Sequence, residues 1–301
     1  MSKVSISAVI NTFNEEKNIA RALESVKWAS EIIVCDMHSD DKTVEIAKKH
    51  NAKVVYHERT GFVEPARNFA IAQASNSWVL ILDADEEIPE SLADKLKEIA
   101  VDGSVTTHVE IPRKNMIFGK WIKNSMWWPD CHIRFFKKEH MDWPKQIHGK
   151  PQPTGQGIRL AHEERYAIIH HHYTSVSQYI ERNSKYSAVQ AQELHETGYK
   201  FDWKDLVRKP LNEFLSRYFA HRGYEDGLHG LVLALLQSFM FMQLYIRVWE
   251  IQGFEQKPVN LKDLKLQTDQ GGKDLHYWFG FVSLSNNPVK RILQKAKNKL
   301  S

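Results

Sequence analysis

The 301-residue chain has only two cysteines, Cys35 and Cys131. Two are too few for a disulfide framework, and with Cys35 in a predicted strand a reduced compartment is the simpler setting. The N-terminus lacks a basic start followed by an apolar segment, so no signal peptide is expected and the protein is placed in the cytoplasm. Internal repeats and low-complexity linkers are missing. So are the Gly-x-Gly-x-x-Gly of dinucleotide-binding loops and the Gly-x-x-x-x-Gly-Lys-Ser/Thr of P-loop NTPases, which disfavours both classes. Charge of one sign is also scarce: the net +4 is too small to argue for nucleic acid. The excess is local, because Lys290, Arg291, Lys295, Lys297 and Lys299 follow Pro288 with no acid among them.

What is present is enough for a large core and one or two domains, with 42% hydrophobic and 26% charged residues. The first hundred residues alternate strand and helix. Strands are predicted over 4–10, 31–35, 53–56 and 78–82. Helices are predicted over 14–28, from Ser39 or Asp40 to Lys49, over 65–74, and from Pro89 to Ala100. Asn14 is read as the first N-cap, with Glu15 and Glu16 in the opening turn. Such alternation predicts an α/β fold, a parallel sheet with helices on both faces. After residue 100 the pattern changes to strands of a mixed, smaller sheet, over 106–111 and 132–137, with one more over 166–170. From Ser175 the chain turns helical, with further helices expected over 205–220 and 227–251. The last of these is the most apolar part. Residues 231–246 contain Gln237, Ser238 and Gln243, and the apolar core falls short of the ~20 residues a span needs. It is read as a bundle core first, a helix docked in the membrane interface second, and a span last. The basic C-terminal stretch, with Val289, Ile292, Leu293 and Leu300, is compatible with anionic lipid.

Asp83-Ala84-Asp85 closes the apolar run 78–82. Open α/β sheets bind ligands at the carboxyl ends of their strands. Residues i and i+2 of an extended chain point the same way, so the two carboxylates can share one site. Two hard oxygen ligands suit Mg²⁺ or Mn²⁺ carrying a diphosphate. The loop after the first strand, Asn11-Thr12-Phe13-Asn14-Glu15, falls beside the points where Asp36 and Asp83 emerge. A base can rest against Phe13. In His170-His171-His172 only the first and third can share a side of a strand.

Five blocks carry a resemblance. Residues 9–15, 33–36, 39–43, 65–68 and 82–86 are similar, in order and spacing, to family 2 glycosyltransferases. Trp128-Pro129-Asp130, Arg134-Phe135-Phe136 and residues 222–227 bring the chain nearest the lipopolysaccharide core β-glucosyltransferase branch. The resemblance spans about residues 4–250. It implies a GT-A fold, a Rossmann-like nucleotide-diphospho-sugar transferase sheet, followed by a helical region. The domains expected are a catalytic domain over 1–172 (nucleotide half 1–100, acceptor half 101–172), a helical region over 173–254 and a basic, possible membrane-associated tail over 255–301.

The resemblance further implies an inverting, metal-dependent transfer of a hexose. Glucose from UDP-glucose is the first candidate, and a lipopolysaccharide-core or other lipid-linked glycan the acceptor, at the inner face of the cytoplasmic membrane. Carried over by position, Thr12, Phe13, Asn14, Glu15 and Asp36 hold the uridine, with Arg67 beside the nucleotide and Ala84 in the same set. Asp83 touches ribose or metal, Asp85 and His170 ligate the metal, and Arg134 pairs with the diphosphate. The resemblance also calls for an acid after a late His, but Ile147-His148-Gly149 lacks it. Asp130, Asp142 and His148 are left as candidate bases, Asp130 first because it lies beside an aromatic-rich loop. A nucleotidyltransferase of similar fold would want a Gly-rich basic loop after the first strand. A non-catalytic sugar or lipid-carrier binding protein would explain the missing acid.

Overall fold

The computed structural model describes residues 5–59, 64–102, 105–143 and 151–285. His148 and the basic residues after Pro288 lie outside them. The chain divides into two units: Met1–Ile117 with Trp127–His172, and Phe118–Met126 with everything from Tyr173 onward.

In the first unit β1 (Ile6–Thr12), α1 (Ile19–Ser25), β2 (Glu31–Asp36), α2 (Thr43–Lys49), β3 (Lys53–Tyr56), α3 (Glu64–Ala72) and β4 (Trp78–Asp83) follow one another. The strands β3-β2-β1-β4 pair in parallel. β1 is buried along its whole length, as expected of a strand covered on both faces. Ile6, Ala8 and Ile10 pack with Ile19 and Leu23 of α1 on one side. Val9 and Ile81 pack with Ala66 and Ala70 of α3 on the other. Beyond β4 come β5 (Glu86–Glu87), α4 (Glu90–Val101) and β6 (Thr106–Ile117). After the short β7 (Lys120–Trp121) of the second unit follow β8 (Asp130–Lys137), the β9 (Met141–Asp142) and β10 (Gln152–Pro153) ribbon, β11 (Gln156–Arg159) and β12 (Ile168–Tyr173).

The later strands do not build a separate smaller sheet. They extend the parallel one, in the order β3-β2-β1-β4-β8-β6-β12-β5, with β11 beside β6. β8 pairs antiparallel with β4, Trp78 opposite Lys137, and with β6. Two other expectations need correction. Asn14 is not a helix cap. It takes a left-handed φ of 55°, and α1 begins only at Ile19. The reason is a loop-to-loop lattice: Asn14 N donates to Ser39 Oγ, Asp40 N to Asn14 Oδ1, and Glu15 N to Thr43 Oγ1. Nor do Ser39 or Asp40 open α2. Asp41 Oδ1 accepts from both Thr43 N and Thr43 Oγ1, while Ser39 turns to Asp36.

The second unit is a helical bundle: α5 (Val176–Glu196), α6 (Asp205–Leu215), α7 (Leu228–Ile251) and α8 (Leu261–Ser285). Ser175 caps α5 by accepting from Gln178 N. α7 packs on α5 and α6, and α8 on α6. The Phe118–Met126 excursion is clamped by Asp226, 4% exposed, whose carboxylate accepts from the Lys123 and Asn124 amides. Close packing explains the glycines here: a Cβ on Gly230 would sit 1.8 Å from the Gly223 carbonyl oxygen.

Candidate active site

Four strands of the first unit bring charge to one end of the sheet. Asn11 on β1 sits in register with Asp83 on β4. Asp83 receives two guanidiniums: Arg67 of α3 donates to Oδ1 at 3.1 Å and Arg134 of β8 to Oδ2 at 2.6 Å. Glu86, fully buried, accepts from Arg134 at 3.0 Å and Arg113 at 3.2 Å through Oε1, and from the Asp83 amide at 2.9 Å through Oε2. Arg113 reaches on to Asp130 Oδ2 at 2.6 Å. Burial pushes the Asp83 carboxyl up, but the Arg134 and Arg67 charges outweigh it and hold the group well below the usual carboxylate range.

Asp85 and His170 form the second half of the site. β12 pairs antiparallel with β5, setting His170 opposite Glu86, and His171 N donates to the Asp85 carbonyl at 2.9 Å. The alternation of β12 sends His171 to Glu87 at 3.3 Å, while the His170 and His172 rings lie 4.3 Å apart on the other side. His170 Nε2 stands 3.6 Å from Asp85 Oδ1, both side chains nearly buried. The tautomer follows from Asn115. Its Nδ2 donates to the Trp127 carbonyl at 2.9 Å and to Asp130 Oδ2 at 3.0 Å. Its Oδ1 is thereby left facing His170 Nδ1 at 2.7 Å. A carbonyl only accepts, so the network assigns the hydrogen to Nδ1. In the neutral ring the Nε2 lone pair then faces a carboxylate oxygen. Two acceptors held face to face suit a cation between them, and a His whose other nitrogen is tied to an amide is the usual arrangement of a metal ligand.

Asp83, Asp85, Glu86 and Asp130 set four carboxylates against the three guanidiniums of Arg67, Arg113 and Arg134. The formal excess of one negative charge also favours a cation. Among the described residues no group of three or more His, Cys, Asp or Glu could hold a metal. Two protein ligands fit Mg²⁺ or Mn²⁺ all the same, because such ions take substrate phosphates as further ligands.

The residues expected to touch the nucleotide sit where β1 and β2 end. Phe13 is 39% exposed, with the Arg59 guanidinium 4.8 Å from its ring centre. The buried Asp36 accepts from Ser39 N at 2.9 Å and Ser39 Oγ at 2.5 Å. Glu15 Oε2 accepts from Asn18 at 2.7 Å. Asn11 keeps both amide atoms, and Thr12 its hydroxyl, buried without a hydrogen-bond partner. Orphaned polar groups are rare in folded proteins, and here they mark a place for a polar ligand. Ala84, between the two aspartates, is buried.

The candidate bases part company. Asp130 accepts from Arg113, Asn115 and His132. Burial raises its pKa, but the His132 hydrogen bond and the Arg113 charge hold it well below the usual range. That makes it a weak base. Asp142 is exposed on β9 and accepts from Asn68 at 2.8 Å, apart from the arginine network. Arg134, expected on the diphosphate, is 4% exposed and given to Asp83 and Glu86. Glu86, Arg113, Asn115 and His132 were not among the expected residues. The signals available were the acid directly after Asp85 and the i, i+2 spacing of Asp130, His132 and Arg134 along one strand.

The family model for glycosyl transferase family 2 matches residues 7–165, which spans every residue of the arginine network. The chain belongs to glycosyl transferase family 2. An uncharacterized glycosyltransferase of Rickettsia typhi is 31% identical over 246 residues, 78% of this chain and 83% of its own. The lipopolysaccharide core biosynthesis glycosyltransferase LpsC of Rhizobium meliloti is 21% identical over 263 residues, 85% of this chain and 96% of its own. Among solved structures, glucosyl-3-phosphoglycerate synthase of Mycobacterium tuberculosis with Mn²⁺, UDP and glucosyl-3-phosphoglycerate aligns at 26% identity and a TM-score of 0.32. That match covers 38% of this chain and 44% of the synthase chain, too little to bear on chemistry here. This glycosyltransferase therefore has the GT-A sheet of its family with a helical C-terminal region, and its reaction is glycosyl transfer from a nucleotide sugar.

Proposed function

We propose that this glycosyltransferase moves a hexose, glucose from UDP-glucose as first candidate, to a lipopolysaccharide-core or related lipid-linked glycan in the cytoplasm, with inversion at the anomeric carbon. The observation that carries the metal-dependent reading is the nearly buried Asp85–His170 pair, carboxylate oxygen and ring nitrogen 3.6 Å apart. Asp85 and His170 would hold Mg²⁺ or Mn²⁺, which when bound neutralises the charge that develops on the nucleoside diphosphate as it leaves. Asp83 plays another part. With both oxygens on arginines, it fixes Arg67 and Arg134 at the floor of the site. Phe13 offers its exposed face to the base, and Asn11 and Thr12 supply buried polar atoms at the end of β1. The likeness to LpsC supports the acceptor class.

The test is product release from a panel of nucleotide sugars with Mn²⁺ and a core oligosaccharide acceptor. The reading expects UDP, and a glycoside of inverted configuration. Pyrophosphate release, or no turnover of any nucleotide sugar, would overturn it.

A further inference from the structure

The most apolar helix of this chain is apolar on its outward face as well as on its buried one. Gln237 of α7 accepts from the Tyr179 hydroxyl at 2.7 Å, and Ser238 donates to the Pro210 carbonyl at 2.8 Å. Both polar groups are thus turned into the bundle. Leu228, Val232, Leu235, Phe239, Met242 and Ile246 recur at alternating steps of four and three and so share one face. Leu228 is 74% exposed, Leu235 52%, Phe239 42% and Ile246 41%. A helix on a water-facing surface turns polar residues outward instead. An uncharged apolar stripe five turns long marks an apolar neighbour.

The length and mean hydropathy of α7, 1.6 over its most apolar window, are those of a membrane-crossing helix. Its packing speaks against crossing. Leu233, Leu244 and Val248 are buried where α7 packs on α5 and α6. α5 carries Glu181, Arg182, Lys185 and Glu193, charges that are expensive at bilayer depth. The helix is packed as one member of its bundle.

Two features select lipid as the apolar neighbour. The last turns of α8 expose Tyr277, Phe279 and Phe281 at 52–58%, and aromatic side chains favour the membrane–water boundary. The sequence after Pro288 then brings five basic residues and no acid, each attracted to an anionic leaflet. We propose that the outward stripe of α7 rests in the headgroup–acyl boundary of an anionic membrane, and that the basic C-terminal stretch binds the lipid phosphates. None of these residues belongs to the donor site, so the inference stands or falls apart from the catalytic one.

Co-sedimentation of the full chain with phosphatidylcholine vesicles, with and without about one-third phosphatidylglycerol, tests it. Pelleting is expected with the anionic vesicles and at least ~10-fold less with the neutral ones. Leu235→Glu with Phe239→Glu is expected to lower it by at least ~10-fold, while the melting temperature and Mn²⁺-dependent UDP binding stay those of the wild type. Should that pair fail to fold, Phe239→Cys in a Cys131→Ser chain, carrying an environment-sensitive dye, is expected to shift blue on anionic vesicles. Undiminished pelleting of the charged pair would overturn the proposal, as would an unmoved dye. So would a lipid-free dimer, seen by light scattering, that the charged pair converts to monomer, because the stripe would then belong to a second copy of this chain.

Discussion

The carboxylate of Glu86, without exposure to solvent, accepts from Arg134 at 3.0 Å. The same carboxylate receives Arg113 and the Asp83 amide, so one side chain ties β4, β6 and β8 together. Removing one partner of a buried charge network leaves uncompensated charge behind. Glu86→Ala is expected to destabilise the protein by about 3–5 kcal/mol in urea unfolding. A loss within about 0.5 kcal/mol would mean the network is dispensable.

Acid should weaken the fold through the same network. Asp83 and Asp130 are both held below the usual carboxylate range against the burial that raises them, Asp83 by the Arg134 and Arg67 charges and Asp130 by the His132 hydrogen bond and the Arg113 charge. A carboxylate whose folded pKa is depressed contributes stability that is complete above its unfolded value, near 4, and lost as pH falls toward the folded one. Urea midpoints are expected to fall steadily below about pH 4, and Asp130→Asn to flatten that fall. A variant as acid-sensitive as the wild type would contradict the assignment for Asp130.

Asp130 also separates two mechanisms. Its hydrogen bonds to Arg113, Asn115 and His132 favour the proposal that it orders its neighbours over the one that it takes the acceptor proton. Asp130→Asn is expected to lower turnover yet keep the acid limb of the kcat/KM profile. Were Asp130 the base, that limb would vanish and turnover fall by about 10²–10⁴.

The nucleotide half of the fold is legible because parallel strands buried on both faces leave unbroken apolar runs, as 78–82 does. β3 falls where periodicity puts it, at Lys53–Tyr56. The later strands are harder. β6 runs through Arg113, Lys114 and Asn115 to Ile117, because Arg113 and Asn115 have partners in the site, which no local pattern reveals. α8 is hidden within the expected tail because Gly271 and Gly272 fall inside it and weaken helix propensity. A long-range bond from Arg208 to Gln267 helps hold it. Asp83 and Asp85 could be marked from the sequence, but not that one faces arginines and the other a histidine. That division depends on which strand lies beside β4, and β8 is 52 residues further along.

Asn115 should matter without touching donor or acceptor. Its carboxamide sets which nitrogen of His170 faces Asp85. Asn115→Leu is expected to weaken Mn²⁺ affinity, followed by electron paramagnetic resonance in the presence of UDP, by about 10–100-fold. An unchanged affinity would remove His170 from the metal-binding account.

The central claim is that Asp85 and His170 hold a divalent ion on which donor binding depends. Calorimetric titration of UDP into the wild-type chain and Asp85→Asn, each with Mn²⁺ and with chelator, tests it most directly. The account predicts binding by the wild type with Mn²⁺, and at least ~10-fold weaker binding in the other three titrations, with the folded variant melting as the wild type does. UDP binding of equal strength in all four would contradict it.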